Sequence, residues 1–125
     1  FDLDPEVIAR VRKSCGAAGT ELKVTEDAEG AFSGADVVYA KSWGSMTEYG
    51  KPPPAEENFR KKWIVTEEKM RRTSSAIFMH CLPVRRNLVV QDAVLDGKWS
   101  VVLDQAENRL HTAKAVLLKL YSEES

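Results

Sequence analysis

The stretch that most constrains this chain is Phe78-Met79-His80-Cys81-Leu82-Pro83-Val84-Arg85-Arg86-Asn87. The run Ala76-Ile77-Phe78-Met79 before it is short, apolar and rich in strand formers, as expected of a buried strand. Leu88-Val89-Val90-Gln91-Asp92-Ala93-Val94-Leu95 after it carries apolar residues at helical spacing and predicts a helix ending at Gly97. His80 to Asn87 is therefore read as a strand-to-helix connection at the carboxyl end of a strand. In open α/β sheets, ligands bind at that edge. An imidazole, a thiol, a proline-fixed turn and two guanidiniums there suit a small anion.

The neighbouring segments keep the same rhythm. Asp4-Pro5 opens a helix with an N-cap and a proline at its first position, its apolar face is Val7, Ile8 and Val11, and Gly16 or Gly19 ends it. Glu21–Thr25 alternates polar and apolar residues and predicts a strand. A short helix is expected over Glu26–Ser33, with Ala28, Ala31 and Phe32 inward and Gly34 as its stop. Ala35–Ala40 reads as a buried strand. Lys41 to Pro54, with Pro52-Pro53-Pro54 and two glycines, is a long loop of the kind that forms lids or binding loops. Asn58–Trp63 reads equally as helix or irregular chain. Thr66-Glu67-Glu68 lacks the capping-box acid at Lys69 but begins an acidic helix that turns Met70 inward and ends near Thr73. Ser100–Leu103 predicts one more buried strand, and Gln105–Tyr121 a long helix striped by Ala106, Leu110, Ala113, Val116, Leu117 and Leu120. Alternating helices and strands predict an α/β domain, a three-layer sandwich around a mostly parallel sheet.

Composition narrows the class. With 43% hydrophobic and 30% charged residues among 125, the chain has the make-up of one globular domain. A net charge of -1 lends no support to nucleic-acid or membrane-surface partners, and no apolar run reaches membrane-spanning length. Cys15 and Cys81 stand far apart without CxxC spacing, which favours a reducing cytoplasm. Phe1 running directly into helix-like sequence is read as the start of a piece of a longer protein.

Three groups follow predicted strands and can converge on one sheet edge: Lys41 with Ser45, His80 to Arg85, and Arg109. Each has a plainer reading. Arg85 and Arg86 suit either a bidentate grip on a carboxylate or phosphate or a solvated surface pair. Cys81 has no second histidine or acid pattern around it, so an inert thiol is favoured over a nucleophile. His80 reads as a packing or hydrogen-bonding histidine, and Arg109 as a surface arginine, unless the edge is a site. Pro83 directly after a strand end is a position where a cis peptide bond occurs. No metal-ligand spacing, glycine-rich phosphate loop or catalytic triad is present. The residues alone thus describe an α/β domain with a cationic, loop-built pocket.

His80-Cys81-Leu82-Pro83 resembles a signature of the transcarbamylases that act on ornithine-like substrates, in the aspartate/ornithine carbamoyltransferase superfamily. Arg85-Arg86-Asn87 resembles its acylornithine branch, the N-acetylornithine and N-succinylornithine carbamoyltransferases. Tyr39-Ala40-Lys41-Ser42-Trp43 looks like that branch's substrate loop, and Glu107-Asn108-Arg109-Leu110-His111 like its last-helix motif. The resemblance covers essentially all 125 residues. It implies a Rossmann-like second, ornithine-side domain over residues 1–125, lacking its first strand and the carbamoyl phosphate domain with its Ser-x-Arg-Thr loop. By the same resemblance Cys81, Leu82 and Arg109 bind carbamoyl phosphate, with a cis Leu82-Pro83 bond orienting the carbonyls. Lys41 and Arg85 hold the acylated ornithine, His80 and Pro83 support the turn, and no metal or other cofactor takes part. Carbamoyl transfer to the side-chain amine then gives an acylcitrulline, in arginine biosynthesis, without a covalent enzyme intermediate.

The resemblance implies a homotrimer for the full-length protein, and the acylornithine branch has a knotted second domain. The resemblance therefore also implies that this chain is inactive alone, and that its last helix exposes apolar surface meant for the other domain. Ordinary ornithine enzymes carry aspartate at the position of Lys41. Ser45-Met46 echoes their loop, however, and Val89 replaces a lysine found in some acetylornithine enzymes, so acetyl and succinyl substrates both stay open. Two further readings stand beside this one. They are an ordinary or unassigned-substrate carbamoyltransferase, and a non-catalytic small-anion-binding domain.

Overall fold

A computed structural model of the chain describes residues 3–42 and 61–122. Helix α1 spans Pro5–Ala18, α2 Ala28–Phe32, strand β1 Val37–Ala40, α3 Glu67–Met70, β2 Ile77–His80, α4 Asp92–Leu95 and α5 Val102–Ser122. The expected long loop falls mostly on residues 43–54, outside the described residues, as do Ser45 and the first half of Asn58–Trp63. Residues 61–63 are helical.

Local chemistry accounts for the helix ends. The Asp4 carboxylate accepts from the Glu6 and Val7 amides, and Gly19 closes α1 at φ 67°, where a side chain would be strained. Asp27 caps α2 through the Gly30 amide. Thr66 caps α3 by accepting from the Lys69 amide. Tight turns then carry the chain to Thr73, whose hydroxyl donates to the Met70 carbonyl at 2.7 Å.

β1 and β2 pair in parallel, with Val38 opposite Phe78 and Ala40 opposite His80. Side chains alternate across the sheet, so Val38, Ala40, Phe78 and His80 share one face. That face meets the core: Val65, Met70, Ala76, Phe78, Val90, Val94, Leu95 and Val102, with Phe32, Leu82, Val84 and Trp99 packed around it. On the opposite face Val37, Tyr39 and Ile77 are exposed. The α/β class with parallel strands is as expected.

Lys69 is buried, and its ammonium donates to the carbonyls of Lys61 and Lys62 and to that of Ile64 at 2.8 Å. It satisfies the carbonyl ends of the 61–63 turn, as a cation at a helix C-terminus should. Burial pushes its pKa down, partly opposed by Glu68.

Four expectations need correction. Glu21–Thr25 enters no ladder; alternation makes a strand only where another strand edge is available to pair. Ala31 is exposed rather than inward. The helix expected over Leu88–Leu95 is only Asp92–Leu95, because Val89 and Val90 are taken up by Val65. The Val65 amide donates to the Val89 carbonyl and the Gln91 amide to the Val65 carbonyl, both at 2.9 Å. Two β-branched valines suit such a bridge better than a helix. Finally, Ser100–Leu103 makes a single parallel bridge, Ser100 beside Phe78, before α5 begins at Val102.

The apolar stripe of α5 is exposed, as expected: Leu110, Val116, Leu117 and Leu120 are each more than half accessible. No residue of α1 is buried. Stability therefore rests on the small cluster around Phe78. Phe78→Ala is expected to cost about 3–5 kcal/mol, measured by urea denaturation of the full-length protein; a loss under 1 kcal/mol would contradict this core assignment.

Candidate functional site

The carboxyl ends of β1 and β2 lie side by side because Ala40 pairs with His80. The next residues, Lys41 and Cys81, are neighbours for that reason, although 40 positions apart. Lys41 Nζ lies 3.5 Å from Cys81 Sγ. From α5, Arg109 Nη1 donates to the Cys81 carbonyl at 3.3 Å. Lys41, Cys81 and Arg109 thus converge as their positions after strands predict, and put two cations on one short segment. The Leu82-Pro83 peptide bond is cis, and Leu82 has φ 48°.

His80 is buried, with 1% of its surface accessible. The Leu82 amide donates to His80 Nδ1 at 2.9 Å, so in the neutral ring the proton sits on Nε2. Nε2 is buried and has no partner among the described residues. Burial lowers the His80 pKa, and the positive charge of Lys41 lowers it further. The ring is an acceptor that orders the turn, which agrees with its plainer reading as a hydrogen-bonding histidine.

The two arginines of the turn separate. Arg86 Nη1 donates to Asp92 Oδ1 at 2.7 Å and to Asp96 Oδ2 at 2.6 Å, while Nη2 donates to Asp96 Oδ1 at 2.8 Å. These bonds hold both aspartates below the usual carboxylate range and raise the Arg86 pKa. Asn87, at φ 54°, closes the same network: its amide nitrogen donates to Asp92 Oδ2 at 2.7 Å and its Oδ1 accepts from the Asp92 amide at 3.1 Å. Arg85 is exposed; its carbonyl accepts from the Val89 amide at 3.0 Å, but its guanidinium has no partner among the described residues. The pair is therefore one structural arginine and one available guanidinium. The spacing of Asp92 and Asp96 puts both carboxylates on one side of a helical turn, and only their position in space selects Arg86 over Arg85.

Two residues at the site edge carry no separate signal in the sequence: Tyr39 is one position of a motif and Gln105 the start of a helix. Gln105 Nε2 donates to the Tyr39 phenol oxygen at 2.8 Å.

His80 in the fold resists protonation, so its contribution to stability is complete above its ordinary value of 6.5 and declines as the pH falls below it. His80→Asn keeps an acceptor without a titrating ring and should flatten the fall in urea midpoint between pH 7 and 5; parallel profiles would disprove the assignment. Arg86→Ala should speed amide hydrogen exchange across Asn87–Asp92, whereas Arg85→Ala should leave it unchanged.

Comparison with known proteins gives a consistent set. Residues 1–120 match the family described as Aspartate/ornithine carbamoyltransferase, Asp/Orn binding domain. The N-acetylornithine carbamoyltransferase of Xanthomonas axonopodis pv. citri (strain 306) is 45% identical over 126 residues, covering 98% of this chain and 36% of the relative. The ornithine carbamoyltransferase of Hyperthermus butylicus is 44% identical over 115 residues, covering 90% and 36%. A crystal structure of acetylornithine transcarbamylase complexed with acetylcitrulline superposes with a TM-score of 0.83 at 38% identity, covering 94% of this chain and 36% of that one. The chain thus spans little more than a third of the length of these relatives.

Proposed function

Because this chain belongs to the aspartate/ornithine carbamoyltransferase family, matching its Asp/Orn binding domain, we propose that it is the substrate-binding part of an N-acylornithine carbamoyltransferase. The side-chain amine of the acylated ornithine attacks the carbamoyl carbon of carbamoyl phosphate. A carbon–nitrogen bond forms, the carbon–oxygen bond to phosphate breaks, the amine gives up a proton, and N-acylcitrulline and phosphate leave. Positioning and stabilisation of the developing charge supply the catalysis. No enzyme nucleophile is required, in keeping with a Cys81 thiol that has no histidine or carboxylate partner among the described residues.

One observation carries this reading: Lys41 and Arg109 both converge on Cys81 at the sheet edge. In the proposed complex Arg109 holds carbamoyl phosphate, and Cys81 and Leu82 contact the carbamoyl group through their carbonyls. The Cys81 carbonyl has a second lone pair beyond the one engaged by Arg109. Arg85, the unpaired guanidinium, and Lys41 hold the acylornithine, Lys41 by attracting the α-carboxylate. Pro83 supports the turn from behind, as His80 does through the Leu82 amide.

The remaining length seen in the relatives supplies, on this reading, the carbamoyl phosphate domain and its phosphate loop. The exposed α5 stripe is the surface on which that domain packs, and the full-length protein is a cytoplasmic homotrimer acting in arginine biosynthesis. No described helix is long and apolar enough to cross a membrane.

Identity alone does not sort the amine substrate, since acetylornithine and ornithine relatives are 45% and 44% identical. Lys41 does so on charge. An aspartate would pair with a free α-ammonium, whereas acylation removes that charge and leaves a carboxylate that a lysine attracts. Ordinary ornithine is the second reading, favoured by Ser45-Met46 and by the ornithine relative.

Calorimetric titration of the full-length protein, with carbamoyl phosphate present, should give tighter binding of acetylornithine or succinylornithine than of ornithine. Tightest binding of free ornithine would overturn the assignment. Lys41→Asp should weaken acylornithine binding by roughly tenfold or more, ~1.4 kcal/mol; unchanged affinity would remove Lys41 from the site.

A further inference from the structure

One contact at the sheet edge has no part in the roles above. Gln105 lies in the first turn of α5, four residues before Arg109, so the two side chains project from the same side of the helix. The chain enters α5 from the Ser100 bridge: the Val101 amide donates to the Phe78 carbonyl at 3.0 Å. That places the helix start beside β2 on the flank away from β1. Gln105 nevertheless donates to Tyr39 of β1 at 2.8 Å. Tyr39 is the register partner of Met79, so the bond passes over β2 and ties the helix to the far strand.

Apolar burial along α5 is confined to its first two turns, where Gln105 and Ala106 are half-buried. Val102 is its one buried residue, and it sits at the very start of the helix. Arg109 lies about 10 Å further along the axis at about 1.5 Å per residue. A small tilt about Val102 therefore moves its guanidinium by a sizeable part of a hydrogen-bond length. The Arg109 bond to the Cys81 carbonyl, at 3.3 Å, is longer than a usual N–H···O bond and restrains the helix less than the 2.8 Å contact of Gln105. Gln105–Tyr39, at 2.8 Å, is the side-chain hydrogen bond between these two points and resists tilting.

We propose that Tyr39 and Gln105 are a positioning pair for Arg109: their hydrogen bond sets the inclination of α5 so that the guanidinium meets carbamoyl phosphate at the Cys81 edge. Neither touches the substrate. The inference rests on the reading of Arg109 as a carbamoyl phosphate ligand.

The test is steady-state kinetics of the full-length enzyme carrying Tyr39→Phe, Gln105→Ala, both together, or Arg109→Ala. Tyr39→Phe removes a single oxygen from an exposed ring and should leave folding intact. Each single positioning variant should raise the KM for carbamoyl phosphate about three- to tenfold, with the KM for acylornithine and the thermal midpoint unchanged. The double variant should be no worse than either single one, the mark of one shared interaction. Arg109→Ala should raise the same KM far more. If Arg109→Ala raises it and Tyr39→Phe does not, the positioning role is wrong while the Arg109 reading stands. If Arg109→Ala leaves it unchanged, the reading itself fails and the inference with it. A rise in both KM values with a lowered midpoint would mean a merely structural contact, and would also overturn the proposal.

Discussion

The parallel pairing of β1 with β2, in the register that sets Ala40 beside His80, is the constraint on which the site depends. A slip of one residue would turn Phe78 and His80 out of the core and separate Lys41 from Cys81. Burial enforces the register, since Phe78 is fully covered and His80 nearly so, and neither tolerates the exposed face. The same alternation that builds the core thereby brings a lysine and a thiol to one edge.

From that edge outward the structure is assembled from short polar devices rather than from bulk packing. The Leu82 amide closes on His80, Arg86 and Asn87 bind Asp92 and Asp96, and Lys69 seals the carbonyls of residues 61–64. Each removes conformational freedom from a turn. The Arg86 network is exposed, so its value lies in fixing geometry and not in a large stabilisation. Its consequence is that Arg85, its neighbour, remains the guanidinium available for an anion.

Much of this was visible in the residues. Asp4-Pro5 marks the start of α1, one of the two candidate glycines, Gly19, ends it, Thr66 caps α3, and Phe78 is buried in a strand whose other face, at Ile77, is exposed. The motifs around Lys41, His80–Arg85 and Arg109 marked the three groups that the fold brings together. What was misread has a common cause: segments whose state depends on a partner distant in sequence. Val89 and Val90 have helical spacing, yet Val65 claims them for a bridge. Glu21–Thr25 alternates like a strand but enters no ladder. Ser100–Leu103 carries a strand-like run of which one residue pairs and the rest starts a helix. Local propensity is a weak prior where a long-range hydrogen bond is on offer.

By itself the sequence determined the α/β class, the helix caps, the family and the residue types of the site, because these follow from local pattern and from motifs. The tertiary structure alone decided which groups are free to act. Arg85 and Arg86 are indistinguishable as neighbours in a chain, and only the positions of Asp92 and Asp96 in space engage one and release the other. Tyr39 and Gln105 carry no signal of their own; they meet because α5 crosses β2, a geometry set by where the chain leaves the Ser100 bridge. Contacts across 28, 40 and 66 residues arise from topology, and pattern within a segment has no access to them.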